Sequence, residues 1–164
     1  MQSRKLTVRR TFQAPPEEVF RAFVSLEAIK EWWAPKGHVT LEVQVDVRVG
    51  GQFRLVTRSE TGSRVVYEHG SFMEISPPNK LVFTHVFERR STGVPFAEVG
   101  LADYQTLVTV EFHARAGATE VVLVQEAIPT AAAEDVVRVG WQGTLDKLAE
   151  YLGGIGGTGT RRVG

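Results

Sequence analysis

Hydrophobic residues recur at every second position through most of this chain and at helical spacing near its two ends. Leu6, Val8 and Arg10 alternate with Thr7, Arg9 and Thr11 as far as Phe12, which predicts a first strand. Ala14-Pro15-Pro16-Glu17-Glu18 then reads as a helix start. Proline is tolerated in a first turn, and two carboxylates complement the partial positive charge there. Val19, Phe20, Phe23 and Val24 form the apolar stripe of that helix. Ser25 is placed to cap a second short helix over 26–33, which Pro35 and Gly37 end.

Alternation with a period of two then takes over. Leu41, Val43 and Val45 alternate with polar neighbours, Gly50-Gly51 turns the chain, and Phe53, Leu55 and Thr57 share a face of the next strand. After Thr61-Gly62-Ser63, the run 65–75 is long for a strand, and Gly70 inside it predicts a bulge or bend. Ser76-Pro77-Pro78-Asn79-Lys80 connects tightly into a strand over 81–88. Residues 89–103 have no clean period, contain Gly93, Pro95 and Gly100, and read as a long loop that could cover a cavity with Phe96 and Leu101. Strands over 104–114 and 119–128 make a last hairpin. Beyond Pro129, Val137, Trp141, Leu145, Leu148 and Leu152 mark a long amphipathic helix. Strands grouped between helices predict an α+β fold with a curved antiparallel sheet, in one domain over 1–152. The glycine-rich residues 153–164 read as a flexible tail.

Composition narrows the function classes. The 19 basic and 19 acidic residues cancel, which argues against nucleic acid or an anionic membrane as partner. Without cysteine there are no disulfides, thiolate nucleophiles or cysteine metal sites. No apolar run approaches the ~20 residues of a membrane span, and no apolar segment follows Arg4-Lys5, so a cytoplasmic location is expected. His38, His69, His85 and His113 lack close ligand spacing, so neither a metal nor another cofactor is implied.

The order of elements resembles the START-like (SRPBCC) superfamily, whose fold is the helix-grip. Within it, the chain resembles the group named after the activator of the heat-shock-protein-90 ATPase. The segments that carry this include Ala14-Pro15-Pro16-Glu17-Glu18-Val19-Phe20, Trp32-Trp33-Ala34-Pro35-Lys36-Gly37 and Asp46-Val47-Arg48-Val49-Gly50-Gly51-Gln52-Phe53. Gly70-Ser71-Phe72-Met73-Glu74-Ile75-Ser76-Pro77-Pro78, Leu81-Val82-Phe83-Thr84, Gly140-Trp141 and Leu145-Asp146-Lys147-Leu148 add to them. The resemblance implies a cavity between the long helix and the sheet, and it leaves activity open because a fold is not a function.

The hairpin around Pro77-Pro78 suggests how that cavity is lined. If Ile75 opposes Leu81, then Met73 opposes Phe83, Ser71 opposes His85 and His69 opposes Phe87. This face is the more apolar one and is expected to point inward, leaving Phe72 outside. With Trp33, Phe53, Trp141 and Leu145 added, the expected ligand-binding set is Trp33, Phe53, Ser71, Met73, Phe83, His85, Phe87, Trp141 and Leu145. The tryptophans could equally be core, and the polar members could be satisfied core residues. Gly140 beside Trp141 suggests a close approach of the helix backbone to ligand or sheet. Asp46 and Arg48 are expected to pair structurally, and Ser71 has no turn or helix end to build an oxyanion hole. The reading that follows is a domain that binds a small apolar or aromatic molecule. Its rivals are a cyclase- or hydrolase-like enzyme using the cavity's polar residues, and a chaperone-activator-like interaction domain. A homodimer is compatible with each, and catalytic residues stay unassigned.

Overall fold

The computed structural model describes residues 4–155. The chain runs β1 (Arg4–Phe12), α1 (Pro16–Val24), α2 (Leu26–Trp32), β2 (His38–Val45), β3 (Gln52–Ser59), β4 (Val65–Ser76), β5 (Lys80–Phe87), β6 (Gln105–Arg115), β7 (Ala118–Ile128) and α3 (Ala131–Ile155). The seven strands form one antiparallel sheet in the order β1-β7-β6-β5-β4-β3-β2. This is the helix-grip architecture that the sequence predicted, with α1 and α2 carried between the two edge strands.

The local signals act as expected. Pro16 opens α1 with Glu17 and Glu18 in its first turn, and the buried side is Val19, Phe20, Ala22 and Phe23. The Ser25 hydroxyl accepts from the Ala28 N–H at 3.3 Å and caps α2. Along α3, Ala133, Val137, Trp141, Leu145, Leu148 and Leu152 are buried, one per turn, while Val139 on the opposite side is 68% exposed. The helix continues through Gly153, Gly154 and Ile155, so the boundary expected at Gly153 does not hold; the rest of the expected tail, residues 156–164, lies outside the described residues.

The register of the β4–β5 hairpin corrects the sequence reading. Ile75 does pair with Leu81, but a β-bulge between Phe72 and Glu74 sets Phe72, not Met73, against Phe83. Beyond the bulge, His69 pairs with Val86 and Glu68 with Phe87. One extra residue moves every earlier side chain on β4 to the other face. Val66, Glu68, Gly70 and Phe72 therefore point inward, whereas Ser71 faces out and Met73 is 54% exposed. His69 bonds Glu88 on the outside through Nδ1 at 2.8 Å.

Gly70 is not the bulge. A Cβ there would meet the Thr84 carbonyl oxygen and come within 2.6 Å of the Phe53 ring, so the glycine lets Phe53 lie across the strand. Asp46 and Arg48 pair at 2.8 Å in an exposed loop, a structural contact as expected.

Candidate functional site

α3 does not seal the sheet along its whole length. Between its first half, the inner faces of β4, β5 and β7, and the segment 94–96 lies a cavity of about 640 Å³. Such a volume suits a small molecule, for which sites of ~300–1,000 Å³ are usual. Trp33, Phe87, Phe96 and Trp141 supply aromatic wall, joined by Val66, Val94 and Val137. Trp33 and Trp141 meet edge to face at 5.5 Å between centroids, and Phe96 stacks on Phe87 at 4.2 Å. Gly140 lines this space, and a Cβ on it would have nothing within 4 Å. It leaves open space and does not bring the helix onto the sheet; within α3 the glycine that approaches another backbone is Gly143, against Pro35 and Lys36.

Two polar systems are set into this wall. In the first, His85 Nε2 and Glu68 Oε1 lie 2.6 Å apart, both side chains almost wholly buried, and the Trp33 indole N–H approaches the same carboxylate oxygen at 3.4 Å. A bond this short between buried groups has the character of a charge-assisted one. In the second, Trp141 Nε1 donates to Gln125 Oε1 at 2.7 Å and Gln125 Nε2 donates to Thr106 Oγ1 at 2.8 Å. The Thr106 hydroxyl in turn donates to the His85 carbonyl at 3.2 Å. The chain of bonds ties the middle of α3 to β5 through β6 and β7, which fixes the Trp141 ring in the wall.

At the mouth stand His38, Arg64, Lys36 and Asp135. Lys36 pairs with Glu150 and Asp135 with Arg138, whereas Arg64 has no ion pair among the described residues. The His38 side chain is buried and its Nδ1 lacks a partner. Burial, then the positive charges of Arg64 and Lys147, hold its imidazole below the ordinary value of 6.5, with Glu68 opposing them. A ring that binds its proton less readily folded than unfolded makes acid favour the unfolded chain. Stability from this group is therefore expected to be full above pH ~6.5 and to decline as pH falls below it. Chemical denaturation at pH 7.5 and 5.5 should show a smaller acid loss in His38→Gln than in the parent. An equal loss in both would contradict the assignment.

The structure brings four of the expected site residues, Trp33, His85, Phe87 and Trp141, to this one cavity. Phe53 and Phe83 line a separate crevice of about 20 Å³ behind Trp33, space for about one water. Leu145 is core, 1% exposed, and borders neither space. Ser71 and Met73 drop out because the bulge turns them outward. Phe96 and Leu101 of the irregular segment are buried, and Phe96 forms wall. Glu68, Gln125, His38 and Arg64 were not foreseen. For Gln125 a signal existed, since Val121, Leu123 and Gln125 alternate on one face of β7. Glu68 had none that did not depend on the register.

The family model for Activator of Hsp90 ATPase homolog 1-like proteins matches residues 13–153. The chain belongs to this family. Solved structures agree on the fold. Protein CV1439 from Chromobacterium violaceum is 26% identical, with a TM-score of 0.74 over 90% of this chain and 96% of that one. The AHSA1 (SPO3351) protein from Silicibacter pomeroyi is 20% identical, with a TM-score of 0.75 over 91% and 97%. CalU16 from Micromonospora echinospora is 22% identical, with a TM-score of 0.64 over 91% and 76%. Comparison with curated proteins returns no match. Membership supports a ligand-binding or interaction domain in general terms. No helix among the described residues is long and apolar enough to cross a membrane.

Proposed function

We propose that this family member binds a small, largely apolar or aromatic molecule in the cavity beneath α3. The observation that carries the reading is the cavity itself, about 640 Å³ of space walled by Trp33, Phe87, Phe96 and Trp141. Water in an aromatic-walled space is released when an apolar ligand enters, at about 25 cal/mol per Å² of apolar surface removed from solvent. Gln125 holds Trp141 in place beforehand, so little side-chain ordering is left to the binding step. The segment 94–96, like residues 33–36, is wall outside the regular elements, and it lies in the long irregular connection between β5 and β6 that is the natural gate for entry.

Gly140 provides the test. N-phenyl-1-naphthylamine, an uncharged apolar fluorophore, is expected to bind the parent saturably with a blue shift. Gly140→Phe should abolish binding, because the new ring projects into the cavity from a helical position with open space at its Cβ. Gly140→Ala should keep binding and raise stability by about 0.5–1 kcal/mol, the usual gain over glycine within a helix. Hydrogen exchange around residues 94–96 should slow when the probe is present. Equal probe affinity in the parent and in a folded Gly140→Phe variant would place the site elsewhere.

A further inference from the structure

The Glu68–His85 pair has a loose end. Glu68 Oε1 is engaged by His85 Nε2 and by the Trp33 indole, which leaves Glu68 Oε2 and His85 Nδ1 without a hydrogen bond among the described residues. The buried side-chain atoms that lack a partner are others: His38 Nδ1, Thr40 Oγ1 and Thr57 Oγ1. The two free atoms of the pair therefore border open space, and the open space that both residues line is the cavity.

Their chemistry is specific. Glu68 Oε2 is a carboxyl oxygen left free to accept, and His85 Nδ1 beside it accepts in the neutral ring that carries its proton on Nε2 and donates in the charged one. The cavity wall thus offers a free carboxyl oxygen, Glu68 Oε2, beside a free ring nitrogen, His85 Nδ1, amid aromatic surface. A buried pair of this kind is weak evidence of a stabilising role by itself, since a hydrophobic pair of similar volume often does as well in a core. A ligand that displaces the water from these atoms leaves them unpaired at a cost unless it supplies a donor of its own. The donor need not be cationic, because a carboxyl oxygen accepts from a neutral O–H, and the exposed Arg64 in the lining opposes entry of a positive ligand. A neutral hydroxyl meets both conditions.

We infer that the Glu68–His85 pair is a hydroxyl-recognition point, and that the ligand class is hydroxylated aromatic, with its phenol-type O–H donating to Glu68 Oε2 or His85 Nδ1 and its ring between Trp33, Phe87 and Trp141. This rests on the reading that the cavity binds small aromatic molecules. It goes beyond that reading by naming the group the ligand carries and the residues that detect it.

The test uses two probes that differ by one donor, 2-naphthol and 2-methoxynaphthalene, titrated by their own fluorescence into the full chain. Wild type is expected to bind the naphthol about tenfold or more tightly than its ether, the range of a hydrogen bond to a charged group. In the double variant Glu68→Leu/His85→Leu the two affinities should converge through weakening of the naphthol. If that variant does not fold, Glu68→Gln serves, with its preference expected to shrink because a neutral amide is the poorer acceptor. Equal, saturable binding of both probes to wild type overturns the inference and leaves the cavity reading standing. A preference undiminished in the variants also overturns it, because the hydroxyl is then read elsewhere. Failure of both probes to bind overturns the cavity reading itself.

Discussion

Leu145→Ala is expected to destabilise the domain by about 2–5 kcal/mol, the range for a buried leucine truncated to alanine. Leu145 is 1% exposed and sits one turn beyond Trp141 on the face of α3 that meets the sheet. Neither cavity touches it, so its removal opens a new void instead of enlarging an existing one. The lost dispersion contacts and the new cavity surface then act together. For a domain of this length, about 2–4 °C of melting temperature goes with each kcal/mol, so the midpoint should fall by about 4–20 °C. Val139→Ala is the control. It lies on the same helix but is 68% exposed, and it should move stability by less than about 0.5 kcal/mol. Thermal melts that failed to separate the two variants would mean that α3 presents a different face to the sheet.

The second large effect is expected at His85. His85→Leu should cost about 3 kcal/mol, near the lower end of the ~3–5 kcal/mol seen when one partner of a buried pair is removed. The reason is the carboxylate left behind. Glu68 keeps only the Trp33 indole, at 3.4 Å, and the water that Oε2 can reach in the cavity. That water is why the lower end applies. The double variant Glu68→Leu/His85→Leu should recover part of the loss, since no uncompensated charge remains. A residue of about 1–3 kcal/mol persists because the buried indole N–H of Trp33 has lost its acceptor. Urea denaturation of the two single variants and the double completes a cycle. Strictly additive losses would show that the two side chains do not depend on each other, and the hydroxyl-recognition inference would lose its basis with them.

How much of this was legible in the chain depends on whether a feature is local. The Pro16 start of α1, the Ser25 cap on α2, the Gly50-Gly51 turn and the one-per-turn apolar face of α3 are written in neighbouring residues, because the forces behind them act within a few positions. The antiparallel sheet follows from period-two alternation, and the helix-grip order follows from the succession of elements. On β5 the inward side chains Leu81, Phe83, His85 and Phe87 were also legible, since nothing interrupts the alternation there.

On β4 the same rule failed at one residue. The bulge between Phe72 and Glu74 exchanges Met73, Ser71 and His69 for Phe72, Gly70 and Glu68 on the inner face. Local preference gives no sign of it. Glycine, the usual marker, stands at position 70, where it makes way for the Phe53 ring. What places the extra residue at Met73 is a long-range gain, with Phe72 packing among Phe53 and Phe83 and burying itself to 3% exposure. The loop beside it answers the bulge with two backbone bonds, Gly50 N–H to the Phe72 carbonyl and Phe72 N–H to the Gly51 carbonyl. Elements and their order were thus determined by the sequence through short-range physics. The pairing of Glu68 with His85, and the polar point it gives the cavity, was decided only in the tertiary structure, where contacts far apart in the chain chose the register.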